Sequence, residues 1–118
     1  MVELERLELR VAAAKARLHV VDPPLLTGRS GVTHRFSFLA SDESGSFGFD
    51  FYDTVGEIEL LKSAIKKFDT GALIQVVCLK GVPTPEADLL AKDLEIRILS
   101  PETLIRSFEQ VLVETTAE

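Results

Sequence analysis

The chain has 118 residues, 46% hydrophobic and 27% charged, a balance that suits one folded domain and excludes disorder. No apolar run approaches the ~20 residues that cross a bilayer, and the opening MVELERLELR has neither the cationic start nor the apolar stretch of a secretory signal. Thirteen Lys and Arg stand against nineteen Asp and Glu, a net charge of −6, so the overall field repels polyanions. The expectations are no membrane, a cytoplasmic setting, a protein partner or homo-oligomer, and at most weak contact with nucleic acid. The single cysteine, Cys78, forbids an internal disulfide and fits a reducing compartment.

Residues 2–18 read as a helix, because Leu4, Leu7, Val11, Ala14 and Leu18 recur at spacings of three and four, with charged residues between them. Pro23 and Pro24 stop it, and His19 sits near its end, where the helix dipole favours a cation. Residues 32–40 alternate as a strand, placing Val32, His34, Phe36, Phe38 and Ala40 on one side. A polar loop over 41–46 leads into a second strand, 47–53, whose Phe47, Phe49 and Phe51 share a face. Two phenylalanine rows predict an antiparallel hairpin whose second strand ends at a sheet edge.

The second half changes period. Ile58, Leu61, Ala64, Ile65 and Phe68 form a helical stripe over residues 55–68, and Gly71 marks the exit. Residues 72–79 are almost continuously apolar, as in a strand covered on both faces. Thr84-Pro85-Glu86 caps a helix running to about Asp93, Ile96 and Ile98 mark a short strand, and Ser100-Pro101-Glu102 opens a last helix over 101–113. That helix offers Leu104, Ile105, Phe108, Val111 and Leu112, more apolar surface than one core contact needs, which favours self-association. Residues 114–118 read as a frayed tail. The order predicts one α/β domain over 1–113: a mixed sheet with an N-terminal antiparallel hairpin, flanked by helices.

Three stretches carry a family likeness. Gly31-Val32-Thr33-His34-Arg35-Phe36-Ser37 is similar to a "G-hydrophobic-x-H-x-F-D" strand. Asp50-Phe51-Tyr52-Asp53 forms an acidic strand after the hairpin. The strand from Gly71, the Ala87-Asp88-Leu89-Leu90-Ala91 helix, the Ile96–Leu99 segment and Ser100-Pro101-Glu102 complete a closing pattern. Together they resemble the restriction-endonuclease-like (PD-(D/E)XK) nuclease superfamily, over most of residues 1–110, and the sequence looks like a degenerate member.

The resemblance implies chemistry in which carboxylates converge on magnesium or manganese and a lysine polarises the attacking water. Carried over by position, Ser37 stands where an acid belongs, Asp50 keeps the first acidic position of the (D/E)-x-K element, and Tyr52 replaces its lysine. Glu5 or Glu8 matches a first-helix glutamate. Asp50 is therefore the one metal-ligand candidate on the sheet, and Glu8, His34, Asp50 and Tyr52 are the catalytic candidates. Asp53 falls on the strand face opposite Asp50. Lys62, Lys66 and Lys67 on the following helix stand near enough in sequence to replace the missing lysine; the competing expectation makes Asp50 and Asp53 solvated edge residues and the lysines a wet helix face. His34, in an apolar row, reads as a hydrogen-bonded core residue. Arg29, Arg35, Lys62 and Lys66 are candidates for a local phosphate-binding patch. The expected function is a non-catalytic binding or assembly module without a cofactor, with a nucleic-acid-processing complex as its candidate setting. The alternative is an active metal-dependent nuclease with migrated catalytic residues.

Overall fold

A computed structural model of the chain describes residues 17–101. Glu5, Glu8 and most of the first predicted helix lie outside them, as do the apolar positions of the last helix and the predicted tail. The described elements run β1 (His19–Val20), β2 (Leu25–Thr27), β3 (Thr33–Arg35), β4 (Phe38–Asp42), β5 (Gly45–Tyr52), α1 (Glu57–Thr70), β6 (Leu73–Cys78), α2 (Pro85–Leu94) and β7 (Arg97–Leu99). Five strands form one mixed sheet in the order β1-β4-β5-β6-β7; β2 and β3 make a separate two-stranded sheet. The fold is α/β, as the element order predicts.

β4 and β5 are antiparallel, with Phe38 opposite Phe49 and Asp42 opposite Gly45. The connecting turn is tight because Asp42 Oδ1 accepts from the amide and hydroxyl of Ser44, at 2.7 and 2.6 Å, and from the Gly45 amide. The predicted polar loop over 41–46 is thus mostly strand. β5 then pairs in parallel with β6, and β6 with β7. β5 lies inside the sheet between β4 and β6, which corrects its expected place at an edge.

The two crossovers β5-α1-β6 and β6-α2-β7 advance across the sheet in one direction, so right-handed connections put both helices on one face. That face holds Val76, Cys78, Leu60, Ala64, Ala87, Ala91 and Ile96 in one buried cluster. The other face buries Leu18, Phe38, Ala40, Phe47, Phe49, Val77 and Leu99, with Phe51 only partly covered. Phe38 and Phe49 stack as cross-strand neighbours, ring centroids 6.2 Å apart.

Local signals explain the helix ends. Thr84 Oγ1 accepts from the Ala87 amide at 3.1 Å and Pro85 opens α2. α1 closes on Gly71, at φ 76°, whose amide donates to the Lys67 carbonyl.

Four expectations fail for definable reasons. Arg17 and Leu18 are not helical, and His19 belongs to β1, paired with Ser41 rather than set at a helix end. The predicted strand over 32–40 is broken at Phe36-Ser37, which splits it between two sheets. Phe36 consequently faces away from Phe38 and packs with Leu39, Ala72 and Ile74. Its ring covers Gly48, where an added Cβ would come within 2.7 Å of Cδ1, so only glycine lets the chain cross there. His34 leaves the apolar row with β3. Finally, four of the five positions in the helical stripe read from the sequence point outward: Ile58, Leu61, Ile65 and Phe68 are 66%, 48%, 61% and 61% exposed, while the fifth, Ala64, is buried with Leu60 and Ser63.

Phe49 anchors the β4–β5 pair within the buried phenylalanine face, so Phe49→Ala should lower stability by about 3–5 kcal/mol. Urea denaturation followed by circular dichroism measures this; an unchanged midpoint would contradict the assigned register.

Candidate functional site

Alternation along β5 sends Asp50 and Tyr52 toward α1 and the phenylalanines to the opposite face. Asp50 is only 2% exposed, so its carboxylate needs partners inside the protein. α1 supplies both. Ser63 and Lys66, three residues apart and therefore on one helix face, reach down to it: Ser63 Oγ donates to Asp50 Oδ2 at 2.6 Å, and Lys66 Nζ donates to Oδ1 at 3.0 Å. Lys66 Nζ also donates to the Arg35 carbonyl at 2.6 Å and lies 5.3 Å from the Phe36 ring centroid. Because Ser63 gives its proton to Asp50, the 3.1 Å contact between Tyr52 and Ser63 runs from the phenol to the serine oxygen. Burial raises the Tyr52 pKa above its ordinary value, with the bond to Ser63 opposing and the Asp50 charge adding to it.

The burial of Asp50 overturns its reading as a solvated edge residue. Asp53 is exposed, 3.9 Å from Lys80, and Asp50 and Asp53 do not converge. Ser37 aligns the β4–β5 pair: its amide donates to the Phe49 carbonyl, and its hydroxyl accepts from the Phe51 amide at 3.0 Å. Among the described residues no three of His, Cys, Asp and Glu come together as a metal set. A magnesium site needs several oxygen donors around one point. Here one carboxylate is shared between a hydroxyl and an ammonium group, so this set does not fit the metal that the family likeness implies.

The phosphate-patch candidates separate. Arg29, Arg35 and Lys62 are exposed, whereas the Lys66 ammonium is engaged inward. Lys67 Nζ closes the end of α2 by donating to the Leu94 and Glu95 carbonyls at 2.8 and 3.0 Å. The lysines of α1 are therefore not a uniformly wet face.

A second polar cluster is only partly legible in the sequence. His34, expected as a hydrogen-bonded core residue, is hydrogen-bonded and largely covered, but outside the apolar row: it meets Asp69 near the end of α1, Nε2 to Oδ2 at 2.7 Å. Asp69 also accepts from the Ser30 amide and hydroxyl at 2.9 and 2.6 Å, and its carbonyl accepts from the Arg29 amide. Gly28 makes room for this carboxylate, since a Cβ there would fall 2.0 Å from Oδ2. The Ser30 and His34 hydrogen bonds hold Asp69 at a pKa of about 2. Serine and histidine both address the carboxylate rather than each other, so this is a clamp on the loop and not a nucleophile–base pair. Ser63 was legible only as a small polar residue in a helix. Its spacing to Lys66 was visible, but not that this face turns inward.

Lys66→Met strands a buried carboxylate and should cost about 3–5 kcal/mol, while Asp50→Asn combined with Lys66→Met should recover most of it; denaturation midpoints of the three proteins decide. For Asp69, the folded pKa lies below the unfolded value near ~3.9. Its contribution is therefore complete above about pH 4 and is lost as the pH falls through about 2. Asp69→Asn should flatten stability against pH across that acid window, in melting curves taken between pH 2 and 5.

No family model and no curated protein matches this sequence. Its structure is similar to the crystal structure of AF1548, a protein of unknown function, with a TM-score of 0.61 at 14% sequence identity, covering 97% of this chain and 67% of that one. That likeness establishes a shared α/β fold.

Proposed function

We propose that the chain is a non-catalytic domain of restriction-endonuclease-like build, serving as a binding or assembly module, with a nucleic-acid-processing complex as its candidate setting. The observation that carries this reading is the engagement of both Asp50 oxygens by Ser63 and Lys66. A catalytic carboxylate of this type must present its oxygens to a cation beside a second anion; this one spends them holding a helix to the sheet. Ser37 and Tyr52, at the other two family positions, are likewise bound into the framework. The net charge of −6 adds repulsion against a polyanionic substrate. Exposed Arg29, Arg35 and Lys62 support weak, salt-sensitive contact with phosphates at most. No described helix is long and apolar enough to cross a membrane, and the buried free thiol of Cys78 suits a reducing, cytoplasmic setting.

A second reading has one observation in its favour. Lys66 brings an ammonium group 3.0 Å from Asp50, so a helix lysine stands beside the carboxylate where the strand lysine is missing. An active nuclease with migrated residues would use this pair with magnesium or manganese.

Calorimetric titration with each metal, and incubation of plasmid, single-stranded DNA and RNA with either metal, separate the two. The expected outcome is no saturable metal binding and no cleavage. Cleavage that disappears in Asp50→Asn, with the fold retained by circular dichroism, would overturn the non-catalytic reading.

A further inference from the structure

The helix face of the sheet carries two separate buried clusters, one holding Ile74 with Phe36 and Leu39, the other holding Ala91 and Ile96 with Val76. A cavity of about 370 Å³ is lined from both, at the end of the sheet where β6 and β7 begin and beside the last turns of α1 and α2. Its floor is apolar. Ile74, Ala91 and Ile96 are buried, and Leu73 beside them is 47% exposed. This volume, with an apolar floor and a few charged groups around it, has the proportions of a small-molecule site.

The charged side chains lining the cavity are Lys67, Lys92, Arg97 and Glu95. Three cations against one carboxylate reverse the sign of a chain whose net charge is −6. Lys67 is the fixed member of this set. Its Nζ donates to the Leu94 and Glu95 carbonyls at 2.8 and 3.0 Å. An ammonium group carries three N–H donors, so one remains on a nitrogen already held in place, with the Phe68 ring 5.9 Å away at the limit of a cation–π contact. A donor positioned beforehand spares a ligand the cost of ordering it. The carbonyls at this end of α2 would by themselves repel an anion, and Lys67 covers them.

We infer that the cavity binds a small amphipathic carboxylate: a free acid whose aryl or short acyl body lies on the apolar floor and whose carboxylate faces Lys67 and Arg97. The inference goes beyond the module reading and is separate from it, since no part of the site involves Asp50.

Titration of isotope-labelled protein with naphthoate near neutral pH, followed by amide chemical shifts and compared with neutral naphthylmethanol, tests this. The expected result is saturable shifts at Leu73, Ala91, Ile96 and Arg97, with the acid bound about 10-fold tighter than the alcohol, the worth of a hydrogen bond to a charged group. Arg97→Met, at the exposed start of β7, should remove most of that advantage without lowering the melting temperature. Lys67→Met should remove it as well. Because Lys67 also holds the end of α2, Arg97→Met combined with Lys92→Met carries the test if that variant does not fold. The absence of saturation, shifts centred on Ile65 and Phe68 instead, an alcohol bound as tightly as the acid, or an advantage that survives in the Arg97→Met, Lys92→Met protein would each overturn the inference. Metal titration and the cleavage assay read a different site, so a failure here leaves the module reading intact.

Discussion

A carboxylate sealed beneath a helix governs this molecule. Asp50 lies on an interior strand of the sheet and is almost wholly buried, and an ionised carboxylate left without partners there would cost several kcal/mol. Only one rotation of α1 presents Ser63 and Lys66 to it. Because Lys66 also donates to the Arg35 carbonyl, the same ammonium group fastens the end of β3 to the helix. One polar node thus fixes the sheet, the helix over it and the strand that leaves it.

The rotation has a consequence on the other side of the helix. With Leu60, Ser63 and Ala64 turned inward, the more apolar stripe of α1 has to face out. Helix amphipathicity normally reports the buried face, because burial of apolar area dominates folding. In α1 the buried carboxylate also sets the orientation, since Asp50 takes its hydrogen bonds from Ser63 and Lys66 on the inward side, where Leu60 and Ala64 still bury apolar area. The outward stripe is thereby left exposed among the described residues.

The small β2–β3 sheet is tied on by equally specific means. Phe36 can leave the line of the strand only by lying across Gly48, and Asp69 can enter its clamp only because Gly28 has no side chain. These contacts hold the hairpin against the end of α1, bringing Val32 alongside Ile65 and Phe68. The residues that resemble nuclease positions are absorbed into this framework: Ser37 aligns β4 on β5, Tyr52 donates to Ser63, and Asp50 orients α1.

The sequence by itself determined what rests on local signals. Thr84 and Pro85 fixed where α2 begins, Gly71 where α1 ends, and the alternation of Phe47, Phe49 and Phe51 against Asp50 and Tyr52 fixed which side of β5 each occupies. The continuous apolar run through Val76 and Val77 marked a strand covered on both faces, and the element order gave an α/β fold with a mixed sheet. Tertiary structure alone decided the break at Phe36-Ser37, the partnership of His34 with Asp69 across 35 residues, and the face that α1 turns inward. In each case the deciding partner is remote in the chain, a glycine under a ring, a carboxylate under a helix or a serine opposite an aspartate, and periodicity carries information only about neighbours.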